Sequence, residues 1–435
     1  MGHIVNRDRQ YRRLQQRLDR KVTGAPESPT FINILKLLFS PEEAELAIQI
    51  PGRPTALEAL SGKLEIPQDK LDEKMTEMAQ RGLVVDLEHG GQRYFSLSPV
   101  VIGFFEFTFM RTRDDMPMAE LARLFEEYFN ENDRFARSVY QGKTQIGRRL
   151  VREEALPEGD HIEILDWERA SHIIQTASAT GVSLCPCRHE LSHLEKACDK
   201  PQMTCLSLNY AADILIRNGL AKPITSGEAL HILEQCKEAG LAQTGDNVQR
   251  KVAYICNCCG CCCGMVRAMK TFNIRNAIVT SNWIMEIDLS KCNGCGKCAK
   301  ACSVEAIEII EKKEEGKKRR WAVCDETLCL GCGVCYSTCK LGAITMKSRA
   351  QRVLTPETIF DREVLMAIER GKLVNLIFPE RERLNHRALG RIIGVLEKSP
   401  PFKAAMAIKP LRSAFLSTLV KEAKRQLGEV SEVLS

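Results

Sequence analysis

At 435 residues, with 44% hydrophobic and 27% charged side chains, the chain has room for two or three domains and the composition of an ordinary globular protein; a disordered or fibrous class is excluded. The net charge of +6 is modest for this length, so bulk charge does not point to nucleic acid or to an anionic membrane. No apolar run approaches the roughly 18 to 20 residues that span a bilayer and no early apolar stretch carries a cleavage site, so the expected location is the cytoplasm. All twenty cysteines fall between Cys185 and Cys339, many too close together to be mutual disulfide partners, which leaves metal or cluster ligation as their use.

The cysteine-free N-terminal part reads as mostly helical. Helices are predicted over Phe31 to Phe39, Pro41 to Ile50, Thr55 to Leu60 and Gln68 to Arg81, followed by Leu83-Val84-Val85, a turn at His89-Gly90-Gly91 and a returning strand at Tyr94 to Leu97. Helix, turn, helix and hairpin over residues 28 to 100 resemble a winged-helix domain in topology, without a diagnostic motif. A DNA-reading helix is usually basic, yet Gln68 to Arg81 sets Asp69, Asp72, Glu73 and Glu77 against Lys70, Lys74 and Arg81. Protein docking or scaffolding is the expectation there, and DNA binding the alternative.

Further helices are predicted over Met118 to Phe129 and, behind an Asp166 cap, Trp167 to Ala179. They lead to a cysteine-rich stretch in which Cys185, Cys187, Cys198, Cys205 and Cys236 precede the run Cys256-Asn-Cys258-Cys259-Gly-Cys261-Cys262-Cys263, with helical patterns at Ser207 to Asn218 and Ser226 to Ala239 between them. Six thiols within eight positions cannot all serve one ion from one loop, so the loop is expected to supply some ligands and Cys185, Cys187, Cys198 and Cys205 others. At least one additional iron–sulfur cluster is the leading expectation; zinc or copper, and redox-active thiols, are the alternatives. The Cys-Cys-Gly triplets at 258–260 and 262–264 resemble the cysteine-rich domain of heterodisulfide reductases, whose noncubane clusters act on disulfides, but that family spaces its cysteines widely, and no catalytic role is carried over. His189 and His193, four apart, are either further ligands or exposed helix positions, the latter being expected.

Downstream, Cys292-Asn-Gly-Cys295-Gly-Lys-Cys298-Ala-Lys-Ala-Cys302 and Cys329-Leu-Gly-Cys332-Gly-Val-Cys335-Tyr-Ser-Thr-Cys339 repeat one another, and each leads to a short strand, Ala306 to Ile309 and Ala343 to Met346. The unit strand, ligand loop, short helix, strand is therefore expected twice, about a pseudo-twofold axis. Two-residue gaps turn three thiolates toward one cluster, while the fourth cysteine reaches the other cluster. The stretch resembles bacterial two-cluster ferredoxins. The resemblance implies one [4Fe-4S] cluster on Cys292, Cys295, Cys298 and Cys339, and a second on Cys329, Cys332, Cys335 and Cys302. Those ferredoxins usually place proline after the fourth cysteine, where this chain has Ser303 and Lys340. Gly294, Gly296, Gly331 and Gly333 are expected to let the backbone approach the sulfur atoms, the charged segment Glu311 to Arg320 to form a solvated hairpin, and Cys324 to be a core residue.

The fold expected is thus α+β and multi-domain: a winged-helix-like domain at 1–110, a helical cysteine-rich cluster or metal domain at 111–284, a dicluster ferredoxin domain at 285–350 and a helical C-terminal region at 351–435. The last includes an amphipathic segment, Phe402 to Arg425, read as a packing helix, with peripheral membrane contact as the minor alternative. The architecture resembles multi-domain ferredoxin-type proteins of anaerobic bacteria and archaea, a resemblance specific to residues 285–350. No dinucleotide fingerprint or catalytic triad is present, which favours an electron-transfer protein or subunit with a redox partner protein. A reductase with its active site within 185–263, or a redox-responsive regulator, is the alternative.

Overall fold

The computed structural model describes residues 8–156, 165–314 and 317–377. It begins with helices Arg9–Asp19, Pro29–Leu38 and Pro41–Gln49. Ser28 and Ser40 cap the second and third, each with proline in the first helical position, and Ser40 and Glu43 satisfy each other's backbone N–H groups in a capping box. Strand β1 (Thr55–Ala56) precedes helices Leu57–Leu64 and Gln68–Gln80, and the hairpin β2 (Val84–His89) and β3 (Gln92–Leu97) comes next. The three strands form one antiparallel sheet in the order β1-β3-β2. The helix expected from Thr55 starts later because Thr55 and Ala56 pair with Phe95 and Tyr94.

An aromatic layer ties these N-terminal helices to helices Phe105–Phe109 and Met118–Asn130: Phe105 packs on Phe109, Phe125 and Phe129 with ring centroids 4.9–5.6 Å apart, and Phe31 stacks on Tyr128 at 4.7 Å. The same core continues through to Cys258, Cys263 and Val266, so the N-terminal helices and the cysteine-rich loop share one interior.

Residues 111–284 are where the helical expectation needs correction. They contain β4 (Gly147–Arg149), β5 (Thr180–Leu184), β6 (Met203–Leu208), β7 (Lys222–Pro223), β8 (Ala242–Asp246) and β9 (Tyr254–Cys258), paired antiparallel in the order β4-β8-β9-β6-β5-β7. These strands escape a pattern search because they are short, and the central ones are buried on both faces: every residue of β8 is buried, as are five of the six in β6, so no alternation of polar and apolar positions arises there, while the exposed β7 is only two residues long. Helices Asn209–Arg217 and Ser226–Glu238 occur where expected and pack on β5 and β6. The helix expected over 167–179 shortens to Ala170–Gln175, and Asp166 opens a single 3-10 turn before it.

Residues 283–348 repeat one unit. β10 (Trp283–Ile287), a cysteine loop, helix Lys297–Ala301 and β11 (Ile307–Glu314) are followed by β12 (Lys317–Cys324), a second loop, helix Val334–Thr338 and β13 (Ile344–Ser348). β10 pairs with β13, and β11 with β12, both antiparallel. The charged segment is a hairpin, Glu311 facing Arg320 across it and bonding Lys318 at 3.0 Å.

Helix Ile359–Glu369, capped by Thr358 and Asp361, returns to the six-stranded sheet and delivers Arg362 to Asp246 on β8, both buried. Removing one partner of such a pair strands the other. Arg362→Leu is therefore expected to cost about 3–5 kcal/mol in urea unfolding, with the Asp246→Leu/Arg362→Leu double variant recovering much of it; equal costs for single and double variants would show that the pair matters little. The amphipathic segment at 402–425 lies outside the described residues.

Candidate iron–sulfur and metal centres

In the repeated module, Cys292, Cys295 and Cys298 come from the first loop and its helix, and Cys339 from the end of the other helix. All four line one cavity of about 160 Å³ whose walls include Ile287, Ile309 and Ile344. Backbone N–H groups are aimed at sulfur around them: Ala322 donates to Cys292 Sγ and Ala343 to Cys339 Sγ, each at 3.4 Å. Thiolates on an apolar cavity, supplied with amide donors, suit an anionic cluster.

The other three cysteines of the second loop, Cys329, Cys332 and Cys335, face Cys302, which receives the Ala306 N–H at 3.3 Å. Gly331 turns this loop at φ +70°, and a side chain there would meet the Trp283 carbonyl oxygen at 2.1 Å. Cys324 ends β12 and, where a core residue was expected, is only half-buried, with its thiol directed at Cys329. That hydrogen bond, with the N–H groups of Met285 and Gly331, holds the Cys329 thiol down to about 6.

Upstream, the thiols divide into two sets. Cys185 ends the turn after β5, Cys187 lies on helix Pro186–Ser192, Cys205 on β6, Cys256 and Cys258 on β9, and Cys263 at the start of helix Gly264–Phe272. These six open onto one cavity, and the Cys187 thiol interacts with those of Cys185 and Cys263, Cys258 with Cys263, and Cys256 with Cys205. Cys198, Cys259, Cys261 and Cys262 form a second group whose sulfur atoms all lie within 4.8 Å of one another, and two of them, Cys259 and Cys262, also line the cavity of the six. Cys236 is fully buried on helix Ser226–Glu238 beside that group and belongs to neither set.

Two buried arginines that the sequence reading passed over sit among these thiols. Arg188, fully buried, donates to the Asn257 carbonyl at 3.1 Å and, against its burial, is drawn to its charged form by Cys185 and Cys259. Arg149 on β4 donates to Thr244 Oγ1 at 2.6 Å, while its Nε and Nη2, like Nε of Arg188, have no partner among the described residues. Buried cationic donors with spare N–H groups fit an anionic group at the six-thiol set. His189, by contrast, is buried where exposure was expected, because its helix sinks against Phe105–Phe109 and its Nδ1 bonds the Phe109 carbonyl at 2.8 Å. Neither it nor His193 joins a thiol set.

The two cysteine regions touch. A side chain at Gly260 would meet the Ser303 carbonyl oxygen at 2.9 Å and its Cα at 3.0 Å, so the upstream loop lies directly on the turn after Cys302. Lys270 pairs with Glu305 beside it, and the Arg152 guanidinium spans from Ser337 in the module to the Lys237 carbonyl at 2.8 Å.

The cavity at the six-thiol set measures about 570 Å³, and Phe105, Met110 and Phe272 form part of its apolar wall. Glu106 also faces it. The side chain is half-buried, and two amide N–H groups only partly offset its desolvation, which pushes the carboxyl up to about 8. Its unfolded value is near 4.5, so the folded state holds the extra proton across that window and loses stability as pH rises through it. Glu106→Gln is expected to match the parent near pH 4 and to exceed it by roughly 2–4 kcal/mol above about pH 8. Urea unfolding at the two pH values checks this; a pH-independent difference would refute it.

Residues 291–352 match the family of 4Fe-4S dicluster domains. This stretch is thus a ferredoxin-like iron–sulfur domain and contains both cysteine repeats. Comparison with curated proteins and with solved structures finds no match. Among the described residues no helix is long and apolar enough to cross a membrane.

Proposed function

We propose that the protein is an iron–sulfur electron-transfer protein or subunit in which electrons pass between a redox partner protein, two [4Fe-4S] clusters in the 285–350 module and at least one further cluster at the six-thiol set. The contact of Gly260 with Ser303 carries this reading, since it holds the upstream thiols against the ligand turn of the module. Iron–sulfur clusters bound at these positions supply one-electron transfer. The chain's own part is to hold and orient. Cys292, Cys295, Cys298 and Cys339 take one cluster, Cys329, Cys332, Cys335 and Cys302 the other, and Cys185, Cys187, Cys205, Cys256, Cys258 and Cys263 offer the upstream ligands. Arg149 and Arg188 offset the negative charge of those thiolates, and Arg152 fixes the module against helix Ser226–Glu238. Serine substitution of Cys258 or Cys263 is expected to remove about four irons per chain while leaving the module's EPR signals in place. Unchanged iron in both variants would dismiss the upstream cluster.

The cavity favours a reductase role as the second reading. Its wall is mainly apolar, six thiols line it, and Glu106 holds a proton at its carboxyl up to about pH 8. The N-terminal unit at 28–100 we read as winged-helix-like and as a protein-docking element. On its helix Gln68–Gln80 Lys74 is engaged within the unit by Glu43 at 3.0 Å, and the exposed Lys70 stands among Asp69, Glu73 and Glu77, so the helix does not offer DNA a strongly basic face.

A further inference from the structure

Four of the upstream cysteines are arranged for a different ligand from the rest. Two sulfur–sulfur separations in the group are 3.7 Å, Cys261 to Cys262 and Cys262 to Cys198, and all four sulfur atoms lie within 4.8 Å of one another. A tetrahedron of thiolates at the usual zinc–sulfur distance of about 2.3 Å has edges of about 3.8 Å. A cubane instead puts each thiolate on a different iron and spreads the sulfur atoms further apart. The chain contains its own comparison. The eight cysteines of the dicluster domain do not draw together in this way, and among the described residues no other three metal-type side chains do.

We infer that Cys198, Cys259, Cys261 and Cys262 bind a single zinc ion, separate from every iron–sulfur cluster of the chain. Cys259 and Cys262 are spaced as in a zinc knuckle, and the Cys262 N–H donates to Cys259 Sγ at 3.3 Å, the kind of amide support a metal-bound thiolate takes. Four thiolates fill the coordination sphere, which makes the site a closed, structural one. For the same ligands the divalent series places zinc above iron(II), so iron is not the occupant to expect. The ion would tie the irregular segment 193–202 to the loop 259–263, two parts of the chain with no strand pairing between them. That clip sets the position of Cys263 and Gly264 at the cavity, leaving six thiols for the upstream cluster.

The test is metal analysis and zinc K-edge X-ray absorption on the full chain, purified without oxygen from cells supplied with both metals. About one zinc per chain with a four-sulfur shell is expected. Cys261 is exposed, so Cys261→Ser should disturb the fold least; it is expected to lose the zinc and keep all its iron, whereas Cys236→Ser keeps both. Wild-type protein without zinc, a zinc shell containing nitrogen or oxygen, or loss of iron in Cys261→Ser would each overturn the proposal. The wild-type spectrum decides the matter even if the variants fail to fold, and loss of the upstream cluster in Cys258→Ser leaves it untouched.

Discussion

Gly331→Ala is expected to leave the dicluster domain with about half its iron. At φ +70° an alanine is strained in its own backbone, and its methyl group would also meet the Trp283 carbonyl oxygen at 2.1 Å and Ser281 Oγ at 2.2 Å. Ser281 already donates to the Gly331 carbonyl at 2.7 Å, so the loop and the start of β10 are locked together and neither has room to retreat. The loop must therefore shift, and Cys329 and Cys332 shift with it. Gly342→Ala is the control: φ is +60°, but nothing lies within 4 Å of the added methyl. It pays only the backbone strain, about 1–2 kcal/mol, and should retain its iron. Iron and sulfide analysis of the two variants separates the effects; equal iron in both would mean that the close packing at Gly331 does not shape the ligand loop.

Gly260→Ala should act differently, leaving each centre assembled but separating them. Its methyl would meet backbone atoms of Ser303, which cannot swing aside as a side chain can, and the overpacking is expected to cost about 1–3 kcal/mol. Iron content should stay at the wild-type value while electron exchange between the module and the upstream centre slows, as tracked by freeze-quench EPR after rapid reduction. A wild-type rate would show that this contact is not the route.

Legibility from sequence depends on how local each feature is. The ligand loops of the module, with their doubled spacing and glycines, are complete within short stretches, and Gly294, Gly296, Gly331 and Gly333 all adopt positive φ, from 64° to 78°. Capped helices such as Pro41–Gln49 and Ser226–Glu238 are equally local and fall where their capping boxes place them. The upstream centre is not local. Cys185, Cys205, Cys256 and Cys263 meet only because β5, β6 and β9 are neighbours in a sheet whose strands, two to six residues long, are too short to show a period. Arg149, Arg188 and Glu106 escape notice for the same reason, since a charged residue reads as surface until the fold buries it. One signal is present in the sequence: Arg188 directly follows Cys187, and a cation beside a thiolate pair is chemically apt.

The most direct test of the relay is iron and acid-labile sulfide per chain, counted on anaerobically purified protein together with low-temperature EPR of the reduced form. About twelve irons with as many sulfides, and a signal beyond those of the dicluster domain, is the predicted result. About eight irons, with only the dicluster signals, would contradict it, leaving the six-thiol set without a cluster and the chain without an upstream centre to exchange electrons with.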